Sequence, residues 1–248
     1  MTSAATKDGG SPVTLITGAG RGIGRACAAA FAAADHHVIA VARTAADLEA
    51  LAEEAGPGIE AWVGDVRDEA LYRRIESLPR LDVLVNNAGI NKPLPIAEVD
   101  GETLNDMIDV NVRAAYRVSQ SGVRAMLRAA RGGSIVHVSS QMGHVGAPRR
   151  TAYCMTKHAI EGLTKAMAVE LAPANIRVNS VAPTFIETDL TRPMFEQPEF
   201  RDWVMGNIPL GRLGAISDVV AAVLFLCSPG AGMITGHSLR VDGGWTAR

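Results

Sequence analysis

Residues 17–24 read TGAGRGIG, and this stretch joins a short apolar run, VTLIT at 13–17, to a helical pattern at 22–34. Glycine permits tight turns and lets another molecule approach the backbone closely. The unpaired N–H groups at the start of a helix can bind phosphate. Three glycines in the spacing G-x-x-x-G-x-G form this turn: Gly18, Gly22 and Gly24. A strand, a glycine turn and a helix in this order predict the first βαβ unit of a dinucleotide-binding sheet.

The rest of the chain repeats the alternation of strands and helices. Seven short runs, most of them rich in valine and isoleucine, are strand candidates: 13–17, 37–42, 59–64, 82–87, 134–140, 176–183 and 237–244. Six longer stretches carry helical patterns: 22–34, 45–55, 68–77, 103–129, 152–172 and 217–228. Strands that alternate with helices form parallel sheets with helices on both faces. The sequence therefore predicts an α/β fold, a single doubly wound Rossmann domain around a seven-stranded parallel sheet.

Composition limits the classes of partner. Of 248 residues, 48% are hydrophobic and 20% charged, which is enough apolar material for a substantial core. A net charge of −2 gives no electrostatic footprint for nucleic acid or an anionic membrane, and no apolar run reaches membrane-spanning length. The three cysteines are widely spaced, and the start, MTSAATKDGGSP, lacks the apolar part of a signal peptide. These features predict a cytoplasmic protein.

The predicted domain organisation is simple. Residues 1–11 are expected to form a flexible tail, and residues 12–248 a single dinucleotide-binding catalytic domain. The segment 184–216 fits the strand–helix pattern poorly, because it contains three prolines and scattered aromatic residues. We interpret it as an inserted substrate loop, and a plain surface excursion is the alternative.

The end of the second predicted strand bears on the choice of cofactor. A carboxylate there would bind the ribose hydroxyls of NAD, but this sequence has Arg43 and no acid before Asp47. A guanidinium matches a 2′-phosphate, so NADP(H) is favoured and NAD(H) is the alternative. Arg21 in the glycine turn is a candidate second phosphate contact. The competing interpretation is that Arg43 is merely an exposed cation.

Tyr153 and Lys157 lie four residues apart in TAYCMTK (151–157), with Ser140 upstream in HVSSQMG. Residues i and i+4 share one helix face. An ammonium beside a phenol stabilises the phenolate and lowers the tyrosine pKa from about 10. The spacing therefore predicts that Tyr153 can act as an acid or base. Ordinary packing of Tyr153 beside a solvated lysine is the alternative.

Together, the glycine spacing, Ser140, Tyr153 and Lys157 resemble the short-chain dehydrogenase/reductase family. Four further motifs follow in the family's order: GDV at 64–66, NNAG at 86–89, DVNV at 109–112 and IRVNSVAP at 176–183. The segments VARTAADLEAL, SSQ, YCMTK and APT are most similar to the branch that contains dicarbonyl and L-xylulose reductases. One position departs from the family. Thr184 replaces the glycine that usually follows Pro183, so the loop over the nicotinamide is expected to be stiffer or differently placed.

The resemblance implies four catalytic roles. Tyr153 would be the general acid in reduction and the general base in oxidation. Lys157 would lower the pKa of Tyr153 and bind the nicotinamide ribose, and Ser140 would donate a hydrogen bond to the substrate oxygen. Asn111 would hold a water that links Lys157 to solvent. Ser139 competes with Ser140, but strand alternation and the spacing to Tyr153 favour Ser140.

The resemblance also implies a cofactor site. Besides Tyr153 and Lys157, its predicted residues are Gly18, Arg21, Gly22, Ile23, Gly24, Arg43, Asp65, Val66, Asn87, Ala88, Gly89, Pro183, Ile186 and Thr188. Four side chains could line the substrate pocket, each with a structural role as the alternative: Gln141, His144, Arg150 and Trp203. No metal is expected, because His137 and His144 lack ligand spacing.

Three functions remain open at this stage. The first is an NADP(H)-preferring oxidoreductase that interconverts a carbonyl and a secondary alcohol on a small polar substrate, such as a ketose, polyol or dicarbonyl. The second is a 3-oxoacyl-[acyl-carrier-protein] reductase, for which three arginines could bind the acidic carrier protein: Arg124, Arg128 and Arg131. The third is a non-catalytic dinucleotide-binding protein. The resemblance implies a homotetramer, with a dimer as the alternative, and the long, alanine-rich helical stretches suit close packing between subunits.

Overall fold

Seven strands lie parallel in one sheet in the computed structural model, which describes residues 10–187, 191 and 195–247. They are β1 (Val13–Thr17), β2 (His37–Ala42), β3 (Ile59–Val63), β4 (Val83–Asn86), β5 (Gly133–Val138), β6 (Ile176–Pro183) and β7 (Ser238–Val241). Their spatial order is β3-β2-β1-β4-β5-β6-β7. The order reverses between β1 and β4, and doubly wound sheets bind ligands at this point, outside the carboxyl ends of the strands.

Eight α-helices within the described residues connect and cover the strands. They are α1 (Gly22–Ala33), α2 (Ala45–Ala55), α3 (Glu69–Glu76), α4 (Gly101–Ile108), α5 (Ala115–Ala129), α6 (Thr151–Leu171), α7 (Pro198–Gly206) and α8 (Ile216–Cys227). One π-helical segment, Asp109–Ala114, joins α4 to α5.

The alternation of side chains along each strand builds two apolar layers. Leu15 of β1 packs with residues of α3, α5 and α6 on one face of the sheet. Its neighbour Ile16 packs with residues of α1, α2 and α8 on the other face. Both side chains are fully buried. The predicted fold class, a seven-stranded parallel sheet with helices on both faces, is thereby confirmed.

Two predicted elements differ from the structure. The stretch 103–129 was expected to be one helix, but the π-helical segment divides it. The segment 184–216 contains a helix, α7, that its prolines hid; Pro198 is the first residue of this helix, where no backbone donor is needed. Of the tail predicted at 1–11, residues 1–9 lie outside the described part of the chain.

An aromatic cluster covers the segment that follows β6. Its members are Phe185, Phe195, Phe200, Trp203 and Trp245. The rings of Trp203 and Trp245 meet edge to face, with centroids 5.3 Å apart, a favourable arrangement for aromatic pairs. The cluster therefore fastens α7 to the short helical turn at the end of the described chain.

Candidate active site

The glycine turn leaves the start of α1 open. Gly18 and Gly22 have φ angles of +66° and +56°, a region that favours glycine. A Cβ on Gly24 would lie 2.3 Å from the carbonyl oxygen of Gly18, so a larger residue does not fit there. Among the described residues, no heavy atom lies within 4 Å of a Cβ built on Gly22, and no side chain caps α1. The turn thus fits a pyrophosphate, which would accept hydrogen bonds from these backbone N–H groups.

Exposed charges surround the predicted adenosine end. Arg21 and Arg43 are both exposed. The Asp65 carboxylate accepts hydrogen bonds from the Arg67 guanidinium at 2.8 and 3.1 Å and from its backbone N–H at 2.9 Å. These bonds, with a smaller contribution from the charge of Arg43, lower the pKa of Asp65. Arg43 and the turn of Asp65 and Val66 therefore lie near each other at the carboxyl ends of β2 and β3.

The residues after β4 lie between the predicted cofactor residues of the glycine turn and helix α6. Two backbone N–H groups donate to the Thr17 hydroxyl at 3.0 and 3.1 Å: those of Asn87 and Ala88. A Cβ on Gly89 would lie 3.3 Å from Asn111 Oδ1 and 3.6 Å from Lys157 Nζ. The predicted cofactor residues and the predicted catalytic residues thus meet at Gly89.

Asn111 is buried in the π-helical segment, a kind of distortion that is frequent at functional sites. Its Oδ1 accepts a hydrogen bond from the Ile90 N–H at 2.8 Å. Its Nδ2 donates to the Ile90 carbonyl at 2.8 Å and to the Thr156 hydroxyl at 3.1 Å. The side-chain amide therefore ties the loop after β4 to α6. Its predicted role in holding a water stays a prediction.

Three predicted catalytic side chains come together where β5 ends and α6 begins. Lys157 Nζ lies 5.6 Å from the centre of the Tyr153 ring and donates to the Val138 carbonyl at 2.9 Å. The Ser140 hydroxyl lies close enough to the Tyr153 phenol to lower its pKa through a hydrogen bond. Ser139 Oγ is buried and has no hydrogen-bond partner in the described part of the chain. The geometry favours Ser140 over Ser139.

Burial dominates the protonation of this cluster. It raises the pKa of Tyr153 to about 12, against smaller lowering effects of Ser140 and Arg150. It lowers the pKa of Lys157 to about 8, although Glu161 acts to raise it. The expectation that Lys157 lowers the pKa of Tyr153 is not met here. Desolvation of the phenol outweighs its attraction to nearby positive charge.

Two of the predicted substrate residues present unpaired donors. Gln141 is buried, and its Oε1 accepts a hydrogen bond from Ser140 at 2.8 Å. Gln141 Nε2 and Arg150 Nε are both buried, and neither has a partner among the described residues. Such groups are rare in native structures, so the two side chains are candidates to bind a polar ligand.

The other two predicted substrate residues make contacts within the protein. His144 Nε2 lies 2.9 Å from the Ser238 hydroxyl and 3.4 Å from Glu161 Oε1, which directs the ring toward β7. Trp203 packs in the aromatic cluster against Phe185 and Trp245. These contacts favour structural roles for both side chains, and contact of either with substrate stays a prediction.

Comparison with known proteins identifies the family of this chain. A family model described as enoyl-(acyl carrier protein) reductase matches residues 18–246. The chain belongs to the short-chain dehydrogenase/reductase family. L-xylulose reductase of Mesocricetus auratus is 43% identical over 232 residues, which is 93% of this chain and 95% of that protein. D-erythrulose reductase of Gallus gallus is 43% identical over 232 residues, 93% of this chain and 94% of that protein.

A solved structure of the family matches the whole fold. Gluconate 5-dehydrogenase of Burkholderia cenocepacia, in complex with NADP and tartrate, has a TM-score of 0.89. It is 30% identical to this chain, and the match covers 96% of each. As a member of the short-chain dehydrogenase/reductase family, the chain is an oxidoreductase that acts on CH–OH groups.

Sequence reasoning missed one buried acid beside the predicted catalytic residues. Glu161 follows Lys157 by one helical turn and is only 5% exposed. Its Oε2 accepts a hydrogen bond from the Ser180 hydroxyl at 2.9 Å. A carboxylate one helical turn after Lys157, on the same helix face, is the signal that could have identified it.

The loop after β6 was predicted to cover the nicotinamide. Pro183 ends β6. Thr184 is buried, and its N–H donates to the Val241 carbonyl of β7 at 3.1 Å. Ile186 is buried and forms a bridge with Gly214. Thr188, also predicted to contact the cofactor, lies outside the described residues.

Two negative findings apply only to the part of the chain that the structure describes. No cluster of three or more His, Cys, Asp or Glu residues has a geometry that could hold a metal ion. No helix there combines the length and apolar character required to cross a bilayer.

Proposed function

We propose that this chain is an NADP(H)-dependent reductase of small, polar carbonyl compounds such as ketoses, working reversibly with the corresponding alcohols. The observation that carries the proposal is the convergence of Ser140, Tyr153 and Lys157 beside an open glycine turn. The L-xylulose and D-erythrulose reductases that resemble it over most of their length support the substrate class, and the NADP in the gluconate 5-dehydrogenase structure supports the cofactor.

In this proposal the residues manage protons while the bound nicotinamide supplies or accepts the hydride. Ser140 donates a hydrogen bond to the substrate oxygen and stabilises the negative charge that develops there. Tyr153 OH transfers its proton to that oxygen in reduction and takes it back in oxidation. A phenol whose pKa is near 12 is protonated at neutral pH, which suits the role of acid in reduction.

Lys157 has donors to spare for a bound ribose. An ammonium carries three N–H donors, and one of them binds the Val138 carbonyl. Asn111 would act by fixing the loop at Ile90, beside Lys157, through two hydrogen bonds to Ile90 and one to Thr156 of α6. Arg43, which is exposed near the Asp65 turn, would bind the 2′-phosphate, and Arg21, which is exposed in the glycine turn, would be a second contact.

The polar substrate class follows from the unpaired donors. Gln141 Nε2 and Arg150 Nε would each gain an acceptor from a hydroxylated substrate, whereas an apolar substrate would leave both unpaired. The acyl-carrier-protein alternative is less well supported. Arg124 pairs with Glu76, and Arg128 binds the backbone carbonyls of Glu76 and Leu78, so these two arginines do not form an unpaired basic patch.

A cofactor-oxidation assay tests the proposal. The substrates are L-xylulose, diacetyl and acetoacetyl-[acyl-carrier-protein], each with NADPH and with NADH. Wild type should reduce the ketose or the dicarbonyl with NADPH, and Tyr153→Phe should lower kcat by about 100- to 10,000-fold. Lys165→Met, at an exposed lysine on α6, is the control and should retain activity.

Two outcomes would contradict the proposal. If Tyr153→Phe keeps wild-type kcat, the acid–base assignment is wrong. If the carrier-protein thioester is the best substrate, the alternative function replaces ours. Binding of NADPH without turnover of any substrate, including the keto acids used below, would favour a non-catalytic dinucleotide-binding protein.

We also propose a cytoplasmic homotetramer, with the chain arranged as a single catalytic domain. A groove of about 370 Å³ between α5 and α6, lined in part by Tyr116, Val123 and Met167, supports pairing of these helices between subunits. Light scattering combined with size-exclusion chromatography measures the assembly directly, and a monomer at micromolar concentration would contradict this part of the proposal.

A further inference from the structure

Arg150 is a buried cation that has no carboxylate counter-charge among the described residues. It immediately precedes α6 and is 6% exposed. Its Nη1 donates to the Arg149 carbonyl at 3.3 Å, and its Nε has no partner among the described residues. The groups that act on its charge are Arg149, Tyr153 and Cys154, and none of them is a carboxylate. A cation removed from water in this way is unfavourable unless something pairs with it.

A second arginine, Arg177, shows the hydrogen bonds that a buried arginine with a structural role makes. Arg177 on β6 is also partly buried. Its guanidinium donates to three backbone carbonyls at 2.8 to 3.3 Å: those of Leu226, Ser228 and Ile234. Arg177 thus has the hydrogen bonds that a structural arginine requires, and Arg150 does not. The difference points to a partner for Arg150 that arrives from outside the chain.

The position of Arg150 indicates which molecule that partner belongs to. Residues i and i+3 lie on the same side of a helix, so Arg150 lies on the side of Tyr153. The guanidinium is close enough to Tyr153 to act on its phenol. The unpaired Nε2 of Gln141, next to Ser140, lies in the same site. A molecule whose carbonyl contacts Ser140 and Tyr153 would therefore bring its other polar groups toward Arg150.

We infer that Arg150 binds a carboxylate of the substrate, so that the enzyme prefers hydroxylated keto acids to neutral ketoses. One guanidinium presents two parallel N–H donors, which match the two oxygens of a single carboxylate. The inference rests on the proposed function, because it names the substrate class of the same site.

Matched substrate pairs test this inference. 2-Keto-D-gluconate differs from D-fructose, and 5-keto-D-gluconate from L-sorbose, only by a carboxylate in place of a CH₂OH group. Within at least one pair, the wild-type kcat/KM should be about 10- to 100-fold higher for the acid, the range expected for a charged hydrogen bond. Arg150→Gln should bring that ratio close to one, and Arg150→Lys should retain part of it.

Arg149→Gln is the control variant. It removes the same charge from the neighbouring residue, which is exposed, and it should leave the ratio unchanged. Thermal unfolding of each variant checks the fold. Calorimetry provides a readout without turnover: the wild-type complex with NADP⁺ should bind D-gluconate more tightly than D-glucitol, and Arg150→Gln should lose this difference.

The outcomes separate the inference from the proposed function. If ketoses are reduced with dependence on Tyr153 but the acid is not preferred in either pair, the inference fails and the proposed function stands. A preference for the acid that survives in Arg150→Gln also overturns the inference. The same holds if Arg150→Gln shifts the pH–rate profiles for the acid and for the ketose equally, because Arg150 would then act on Tyr153 and not on the carboxylate. If no compound is reduced, calorimetry decides: selective gluconate binding that needs Arg150 supports the anion site, and its absence overturns it.

Discussion

The two halves of the sheet hold their polar residues in different ways. On the half formed by β1, β2 and β3, the charges at the carboxyl ends are exposed, as for Arg43. On the half formed by β4 to β7, most of the polar side chains at and beneath the site are buried: Asn86, Asn111, Ser139, Ser140, Lys157, Glu161, Asn179 and Ser180. Exposed charges are screened by water and act nearly independently. Buried polar groups depend on one another, so a change in one disturbs the rest.

A hydrogen-bonded chain beneath the site shows this dependence. Asn86 Nδ2 donates to the Ser119 hydroxyl at 3.2 Å, and Ser119 lies 3.0 Å from His137 Nε2. His137 Nδ1 lies 2.9 Å from the Thr164 hydroxyl. Burial lowers the pKa of His137 to about 4, so the ring is neutral at physiological pH. The chain links β4, α5, β5 and α6 without any charge, and His137 is a structural residue rather than a metal ligand.

The largest expected effect that tests this difference between the two halves is the pH dependence of stability at the buried Lys157. Burial lowers its pKa from 10.5 to about 8, so between these values the unfolded chain binds more protons than the folded one. Stability contributed by this residue therefore rises with pH over that window. Relative to Lys157→Met, the wild-type free energy of unfolding should increase by about 3 kcal/mol from pH 8 to 10.5.

Urea unfolding of both proteins at fixed protein concentration, in half-unit pH steps, measures this difference. Lys165→Met is the control, because Lys165 is exposed on the same helix, and its difference from wild type should stay flat. If the difference in unfolding free energy between wild type and Lys157→Met also stays constant with pH, burial does not lower the pKa of Lys157 as predicted.

An intermediate effect is expected at Glu161. Its carboxylate acts to raise the pKa of Lys157, so Glu161→Gln should lower that pKa further. Lys157 then loses its proton at lower pH, and the alkaline loss of kcat/KM should begin earlier than in wild type. The interaction of two such charges is on the order of 1 to 2 kcal/mol, which corresponds to about tenfold in rate on the alkaline limb.

The pH–rate profile of the proposed reduction measures the shift. Glu170→Gln changes an exposed carboxylate on the same helix and should keep the wild-type profile. Coinciding profiles for Glu161→Gln and wild type would show that Glu161 acts only as a structural link to Ser180.

The smallest effect is expected on the exposed half. Arg43→Ser should lower the ratio of kcat/KM for NADPH over NADH by about tenfold, because a single exposed guanidinium is lost from the 2′-phosphate site. The loss should shrink as salt increases. Steady-state kinetics with both cofactors test this, with the exposed Arg73→Ser as control. An unchanged ratio in Arg43→Ser would assign the phosphate to another residue.

The same contrast explains what could be predicted from the sequence. The glycine turn, the alternation of strands and helices and the Tyr153–Lys157 spacing are local patterns, and the parallel sheet with helices on both faces is confirmed. Several strand bounds agree with the prediction, as for β6 at 176–183. The cofactor residues predicted after β4 also form a local pattern, because they follow one another in the chain, and their role stays a prediction.

What the sequence did not reveal depends on contacts between distant segments. Glu161 meets Ser180, which is 19 residues away on β6, and Asn111 meets Ile90, which is 21 residues away. The pKa of Tyr153 was expected to fall, but it rises because burial cannot be read from a spacing of four residues. Helix α7 was missed because the prolines of its segment suggested a loop.

The π-helical segment Asp109–Ala114 has a consequence for how the gene can change. Each residue of an α-helix advances the chain by about 100°, so the in-frame loss of one codon here would rotate α4 and everything before it relative to α5. Asn111 would then turn away from Ile90 and Thr156, which it now holds. Substitutions can be tolerated along α4 and α5, but the number of residues between them cannot change. We therefore expect selection to remove single-codon deletions in this segment.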